Sequence, residues 1–280
     1  DGIRDRSPSR GLGDVYKRQY LEKVDMSHKK QTQEFDVVIV GAGLAGLYQL
    51  LKLRQLGLTA VIIEKADQVG GTWHWNRYPG ARCDIPSLEY SYQFDEDLQQ
   101  EWNWSEKYSA QPEILEYINH VADKYELRDD INFEEEVTSA VFDESCSKWN
   151  INTSKGQYSA KFCIFATGCL SVPNKPDFQG LENFEGQILQ SSTWAQVEQD
   201  FSGKKVAIIG TGSSAIQSIP LIADQADELY VFQRTPNYSI PSNNGPMDKA
   251  LEQEIKSRYP EFRKENYLNG FGIAAISDES

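Results

Sequence analysis

Two short turns carry the residue types that let a backbone close around a pair of phosphates: Gly41-Ala42-Gly43-Leu44-Ala45-Gly46 and, about 170 residues later, Gly210-Thr211-Gly212-Ser213-Ser214-Ala215. In such a turn the first glycine permits a tight reversal, the second lets backbone N–H groups approach a pyrophosphate, and the third position stays small so that helix and strand can touch. The phosphates then lie against a helix N-terminus, where unpaired N–H groups and the helix dipole favour negative charge. Glu64 follows the first turn at the distance expected of an acid that accepts hydrogen bonds from a ribose hydroxyl. Past the second turn the corresponding place is held by Arg234, followed by Thr235. A carboxylate there would repel a 2′-phosphate, whereas a guanidinium pairs with it through two parallel hydrogen bonds. The spacing predicts two bound dinucleotides, the second of them NADP; an exposed arginine ending a strand is the plainer alternative for Arg234.

Each turn needs a strand leading in and a helix leading out. Residues 35–40 form a short β-branched run suited to a buried parallel strand, and residues 44–56 have helical apolar spacing that stops near Gly57. A second strand, residues 60–63, delivers Glu64. Around the second turn the same order returns as a strand at 205–209, a helix at 213–223 and a strand at 228–232. Between the turns a helix is expected at 113–127, a small antiparallel pair at 137–142 and 149–153 crossing over the first unit, and a strand at 162–165. The fold class is α/β, with two Rossmann-like dinucleotide-binding units that each contain a parallel sheet and are incomplete at the C-terminus. The divisions are a non-native or disordered tail at 1–34, a first nucleotide-binding domain at 35–170, a linker and second nucleotide-binding domain at 171–242, and the start of a truncated helical insert at 243–280.

Composition narrows the function. A chain of 280 residues, 39% of them hydrophobic, can bury a sizeable core, and a net charge of −14 argues against a nucleic-acid partner. No apolar stretch reaches the length of a membrane span, and the first 34 residues are too polar for a signal peptide, which places the protein in the cytoplasm. Cys83, Cys146, Cys163 and Cys169 form no C-x-x-C pair, and His28, His74 and His120 are scattered, so no metal site is expected. Met26, nine residues before the first strand, is the expected start of translation. Residues 11–19 resemble a translated sequencing-adaptor tail, a disordered native tail being the alternative, and the apolar run at 269–276 reads as an interrupted element.

The most specific segment is Gly70-Gly71-Thr72-Trp73-His74-Trp75-Asn76-Arg77-Tyr78-Pro79-Gly80-Ala81-Arg82-Cys83-Asp84. Its density of glycine, tryptophan and a Tyr-Pro-Gly turn suits neither ordinary helix nor strand, and it can lay backbone and flat rings against a flat ligand. Taken alone, it reads equally well as a tryptophan-rich core loop. Its order, however, resembles the flavin-loop signature of Baeyer–Villiger monooxygenases at Gly71, Trp73, Tyr78, Pro79, Gly80 and Asp84. Ala166-Thr167-Gly168 and Gln233-Arg234-Thr235-Pro236 are similar to that family as well, and the resemblance covers about residues 35–242. The family's fingerprint is matched at Phe184, Gly186 and Trp194, but Gln190 stands where the family has histidine, and Ala195 where it has proline or aspartate.

That resemblance implies FAD on Gly41, Gly43, Gly46 and Glu64, with contacts from Gly71, Thr72, Trp73, Tyr90, Val137, Ala166, Thr167 and Gly168. It implies NADPH on Gly210, Thr211, Gly212, Ser213, Ser214, Ala215, Gln217, Arg234 and Thr235. Arg82 and Cys83 are implied to lie along the cofactor. Asp84 is the implied catalytic residue, pairing in the family with an arginine that lies beyond these 280 residues and helping to place the nicotinamide. The implied reaction inserts one oxygen atom of O2 next to the carbonyl of a small-molecule ketone. Three rivals share parts of the pattern: a flavin disulfide reductase, which would need a cysteine pair where Trp73 and Trp75 stand; a flavin monooxygenase oxidising nitrogen or sulfur; and a non-catalytic nucleotide-binding homologue.

Overall fold

The computed structural model describes residues 32–194, 198–270 and 272–273. Met26, the segment at 11–19, Ala195, Phe271 and residues 274–280 lie outside the described residues.

The first strand, β1 (Gln33–Val40), shows why its apolar run is continuous rather than alternating. Val37 and Ile39 face one core cluster and Val38 the other, so both faces of the strand are covered. Each such side chain contributes about 1.5–3 kcal/mol by leaving water. Helix α1 (Leu44–Gln55) returns across that sheet, burying Leu47, Leu50, Leu51 and Leu53, and stops before Gly57, whose φ of +71° a side chain would disfavour. Arg54 in its last turn bonds Asp130 and the carbonyls of Tyr125 and Glu126, tying the helix end to a distant loop. Strand β2 (Ala60–Ile63) then pairs in parallel with β1, Val40 opposite Ile63, which sets Glu64 beside the first glycine turn.

The loop after β2 contains a helical turn, α2 (Thr72–Trp75), and is followed by α3 (Glu96–Glu101) and α4 (Gln111–Lys124). Asp95 caps α3 by accepting the Leu98 N–H, and Pro112 opens α4, which buries Ile114, Tyr117, Ile118, Val121 and Ala122. The remaining strands of this unit are β3 (Ile131–Asn132), β4 (Val137–Asp143), β5 (Lys148–Thr153) and β6 (Gln157–Phe165). They complete one six-stranded sheet in the order β3-β2-β1-β6-β5-β4. The expected antiparallel pair is present as β4 and β5, but it extends the main sheet. The reason is β6, longer than the expected 162–165: it pairs in parallel with β1 along one edge and antiparallel with β5 along the other.

The second unit contains β7 (Lys205–Ile209), α5 (Ser213–Ala223) and β8 (Glu228–Phe232), with β7 and β8 parallel from Lys205 opposite Glu228 to Ile209 opposite Phe232. Ile209 and Phe232 are more than half exposed. Two further helices, α6 (Lys249–Ser257) and α7 (Tyr259–Leu268), return to the first unit. Met247, Ile255, Tyr259 and Phe262 join the core cluster that contains α1 and α4. Lys256 holds the carbonyls of Gln100 and Trp102, while the buried Arg263 bonds the Glu89 carbonyl, Ser91 and Gln99. No helix among the described residues is long and apolar enough to cross a membrane.

Candidate functional site

At the first turn the strand ends of β1 and β6 and the start of α1 converge on glycine. Gly41 has a φ of +106°, and a Cβ there would lie 2.8 Å from the Ala166 carbonyl oxygen. A Cβ on Gly46 would lie 1.9 Å from the Gly41 oxygen, so the third glycine is needed for contact between helix and turn. Helix α1 has Gly43 at its N-cap, no side-chain cap and no acid in its first turn. Its leading N–H groups have no intrahelical acceptor and suit an anion. The buried Glu64 carboxylate accepts the Ala42 N–H at 2.6 Å and the Ala66 N–H at 2.7 Å, so backbone amides fix it against the turn.

Residues 70–84 bridge the two units. Gly70 donates to the Ala42 carbonyl, and a Cβ on Gly71, whose φ is +53°, would lie 2.9 Å from the Gly43 Cα. The loop backbone therefore rests directly on the first turn. The segment expected to be neither helix nor strand turns helically at Thr72–Trp75, because the two glycines reverse the chain and their carbonyls then accept the Trp73, His74 and Trp75 amides. Trp73 is buried; its Nε1 donates to the Tyr90 hydroxyl at 3.0 Å, the rings meet edge to face, and Gln111 bonds its carbonyl. His74 is also buried, with Asp67 3.5 Å from its Nε2, and burial lowers its pKa from the ordinary 6.5 despite that carboxylate.

The far end of the loop meets α5. The Tyr78 hydroxyl donates to Gln217 Oε1 at 2.9 Å, and Gln217 Nε2 donates to the exposed Asp84 carboxylate at 3.0 Å. The Arg82 guanidinium turns instead to Glu106 at 2.8 Å and the Tyr108 carbonyl at 3.1 Å. Cys83 is buried in the core cluster, and burial pushes its thiol up to about 11. Burial likewise raises the pKa of the Tyr90 phenol. Val137 opens β4 and packs on the smaller core cluster, while Ala166 donates to the Val40 carbonyl and Gly168 has a φ of +67°. Thr167, exposed between them, accepts a bond from Ser171 on its carbonyl.

At the second turn Gly210 donates to the Phe232 carbonyl with a φ of +108°, and Gly212 begins α5 without a side-chain cap. A Cβ at either glycine would meet no described residue within 4 Å. Ser213, Ser214 and Ala215 form the first turn of α5, where Ser214 accepts the Ser218 hydroxyl. Gln233 donates to the Thr211 hydroxyl and Asn237 to its carbonyl, folding the segment with Arg234 and Thr235 over the turn. Arg234 is exposed and makes no ion pair or hydrogen bond to another described residue. Gln190, standing where the family has histidine, donates to the Asn174 carbonyl within the linker, and Trp194 packs near Phe201.

Sequence reasoning missed Tyr78, Gln233 and Asn237 as polar anchors, and Glu106 as the acid that claims Arg82. Tyr78 and Gln233 stand within the two motifs and Asn237 directly follows the second, which is the signal that could have found them.

A profile of the pyridine nucleotide-disulphide oxidoreductases matches residues 38–275. The chain belongs to that family. Within it, its relatives include a protein named Baeyer–Villiger monooxygenase, a cyclohexanone 1,2-monooxygenase and a phenazine N-monooxygenase of Lysobacter antibioticus, the last 38% identical over 87% of this chain and 46% of that protein. It is 45% identical to acetone monooxygenase (methyl acetate-forming) of Gordonia sp. (strain TY-5) over 83% of this chain and 44% of that protein. The structure of oxidized steroid monooxygenase bound to NADP matches with a TM-score of 0.83 and 53% identity, over 86% of this chain and 46% of that one. The OTEMO complex with FAD and NADP matches with a TM-score of 0.82 and 39% identity, over 87% and 47%. The chain thus spans under half the length of these relatives. The four cysteines are free thiols, and no group of three metal-binding side chains occurs among the described residues.

Proposed function

We propose that this chain supplies the FAD- and NADPH-binding elements of a monooxygenase that inserts one oxygen atom of O2 next to a ketone carbonyl, giving an ester or lactone. The observation that carries the reading is the 70–84 loop, which rests on Gly43 at one end and on Gln217 at the other, so that it lines the path between two dinucleotide turns. Both turns fit their groups: each opens a helix without a side-chain cap or an acidic first turn, and both N-caps are glycine. When bound, FAD and NADPH supply the reducing equivalents and the oxygen chemistry.

The chain's own residues bind, orient and exclude water. Gly41, Gly43 and Gly46 bring backbone N–H groups to the FAD pyrophosphate. Each Glu64 oxygen keeps a lone pair for a ribose hydroxyl beyond the amide it already accepts. Trp73, held by Tyr90, forms an apolar wall, with Gly71, Thr72, Val137 and Ala166-Thr167-Gly168 completing the flavin contacts. Thr211 to Ala215 cradle the NADP pyrophosphate, and Arg234 with Thr235 takes the 2′-phosphate. Asp84 is the catalytic carboxylate that orients the nicotinamide. Arg82 contributes through its backbone, its guanidinium being engaged by Glu106, and Cys83 through packing. A net charge of −14 disfavours nucleic acid, and four free thiols suit a cytoplasmic setting.

The test has two arms. Flavin fluorescence and NADP+ titrations on the chain itself should show both cofactors binding. A chimera joining it to the C-terminal half of the acetone monooxygenase should couple NADPH oxidation to ester or lactone formation, read by mass spectrometry. Absence of flavin binding by a folded chain overturns the reading, and oxidation confined to sulfides or amines replaces the ketone with a heteroatom substrate.

A further inference from the structure

One side chain joins the two halves of the site. Gln217, in the second turn of α5, uses its whole amide on the 70–84 loop: Oε1 accepts the Tyr78 hydroxyl at 2.9 Å and the Arg82 N–H at 3.4 Å, while Nε2 donates to the Arg82 carbonyl at 3.2 Å and to Asp84 Oδ1 at 3.0 Å. An amide offers two donor hydrogens and one acceptor oxygen with two lone pairs, so its capacity is filled. The backbone shares the contact: Gly80 has a φ of +77°, and a Cβ there would lie 2.2 Å from the Gln217 carbonyl oxygen. Among the described residues, Gln217 is the side chain that hydrogen-bonds the Asp84 carboxylate.

We infer that Gln217 is a positioning residue that fixes the Asp84 carboxylate in register with the N-terminus of α5, so that nucleotide binding at the second turn and the geometry of the loop on the first turn are coupled. The inference rests on the reading of Asp84 and α5 given under the proposed function. It goes beyond that reading in giving the Gln217 amide to Asp84 and the loop, where the family resemblance implied NADPH as its partner. Coupling of this kind is reciprocal: FAD raises the affinity for NADP+ by the factor by which NADP+ raises the affinity for FAD.

Substitution by glutamate separates positioning from packing. Gln217→Glu keeps the shape but sets two carboxylates at hydrogen-bonding distance, and such a pair holds one proton more tightly than either group alone. At pH 8 the clasp opens; at mildly acid pH the shared proton restores it. The first readout needs no nucleotide: hydrogen exchange of the Arg82 amide, with amides of β1 and β2 reporting that the fold is intact. Arg82 protection should fall about tenfold in Gln217→Ala at every pH, and in Gln217→Glu at pH 8 with recovery on acidification. The double variant Asp84→Asn/Gln217→Glu, which exchanges donor and acceptor, should regain much of the protection at pH 8. The second readout is NADP+ affinity with and without FAD, whose ratio should exceed one in the native chain and approach one in Gln217→Ala.

Gln217→Glu matching the native chain at both pH values, or no recovery in the double variant, overturns the positioning role. A ratio unchanged in Gln217→Ala overturns the coupling. Failure of the native chain to bind NADP+ overturns both the proposed function and the coupling, while the exchange pattern still decides whether Gln217 holds Asp84.

Discussion

Replacing Gly46 with alanine adds one methyl group, and the structure gives it no room. The new Cβ would lie 1.9 Å from the Gly41 carbonyl oxygen and 3.0 Å from its carbon, whereas real Cβ contacts essentially never fall under 3.0 Å. Helix and turn must therefore separate by more than an ångström. The turn has little room to retreat, because it is itself packed closely on β6: a Cβ built on Gly41 would lie 2.8 Å from the Ala166 carbonyl oxygen. Overpacking costs about 1–3 kcal/mol, and a backbone obstacle boxed in by a second backbone places Gly46→Ala near the upper end. For a chain of this size that lowers the melting temperature by about 6–12 °C. The control is Gly212→Ala, where φ is −75° and a Cβ meets no described residue within 4 Å. Its stability should hold or rise by about 0.5 kcal/mol, as for alanine at a compatible glycine, while NADP+ binding falls because the methyl group faces the pyrophosphate. Thermal unfolding by circular dichroism, with an NADP+ titration, reads all three effects. Equal melting temperatures for Gly46→Ala and the native chain would refute the close-packing argument.

Three further outcomes are expected. Arg234→Ala should weaken NADPH binding at least tenfold and leave NADH unchanged, since only the former carries the 2′-phosphate; equal losses in isothermal titration would remove Arg234 from that role. Burial, and behind it Arg77, lowers the His74 pKa below 6.5, outweighing Asp67 and Glu64, so the unfolded chain binds the proton more readily. The contribution of His74 to stability is full above pH 6.5 and is lost as pH falls from there through the folded value. Urea midpoints should drop over that window in the native chain and less in His74→Phe; identical profiles would count against it. With its thiol pushed up to about 11, Cys83 should resist iodoacetamide at pH 8 until the chain is unfolded, while the exposed Cys146 and Cys169 react in the native state. Peptide mapping showing Cys83 among the first sites labelled would contradict its burial.

What could be read from the residues in order was what local chemistry demands. Val37 to Ile39 had to be a strand covered on both faces, and the glycines at 41 and 210, with φ of +106° and +108°, had to be glycines. What escaped depends on partners far along the chain. Strand β3 is two residues long and exists through its pairing with Ile62 and Ile63, so no periodicity announces it. The polar start of β6 at Gln157 becomes strand because β5 supplies its antiparallel edge. Arg82 was a fair candidate for the cofactor until the fold set Glu106 beside it, and Gln217 was an implied NADPH contact until Asp84, 133 positions earlier, was found on its amide.

The two turns also show that one spelling can serve two packings. In the first, the third glycine is pressed on the turn and the motif is a structural necessity before it is a binding site. In the second, Ala215 already carries the methyl that Gly46 cannot, and a Cβ on either glycine would meet no described residue within 4 Å. Among the described residues neither a packing neighbour nor the backbone angle requires glycine at 212, so Gly212 is the position to read in nucleotide binding and Gly46 the one to read in stability. Gly46→Ala and Gly212→Ala therefore divide the motif along that line: the first should be read in the melting temperature and the second in the nucleotide titration. A Gly212→Ala variant that bound NADP+ as the native chain does would refute the placement of that glycine against the pyrophosphate.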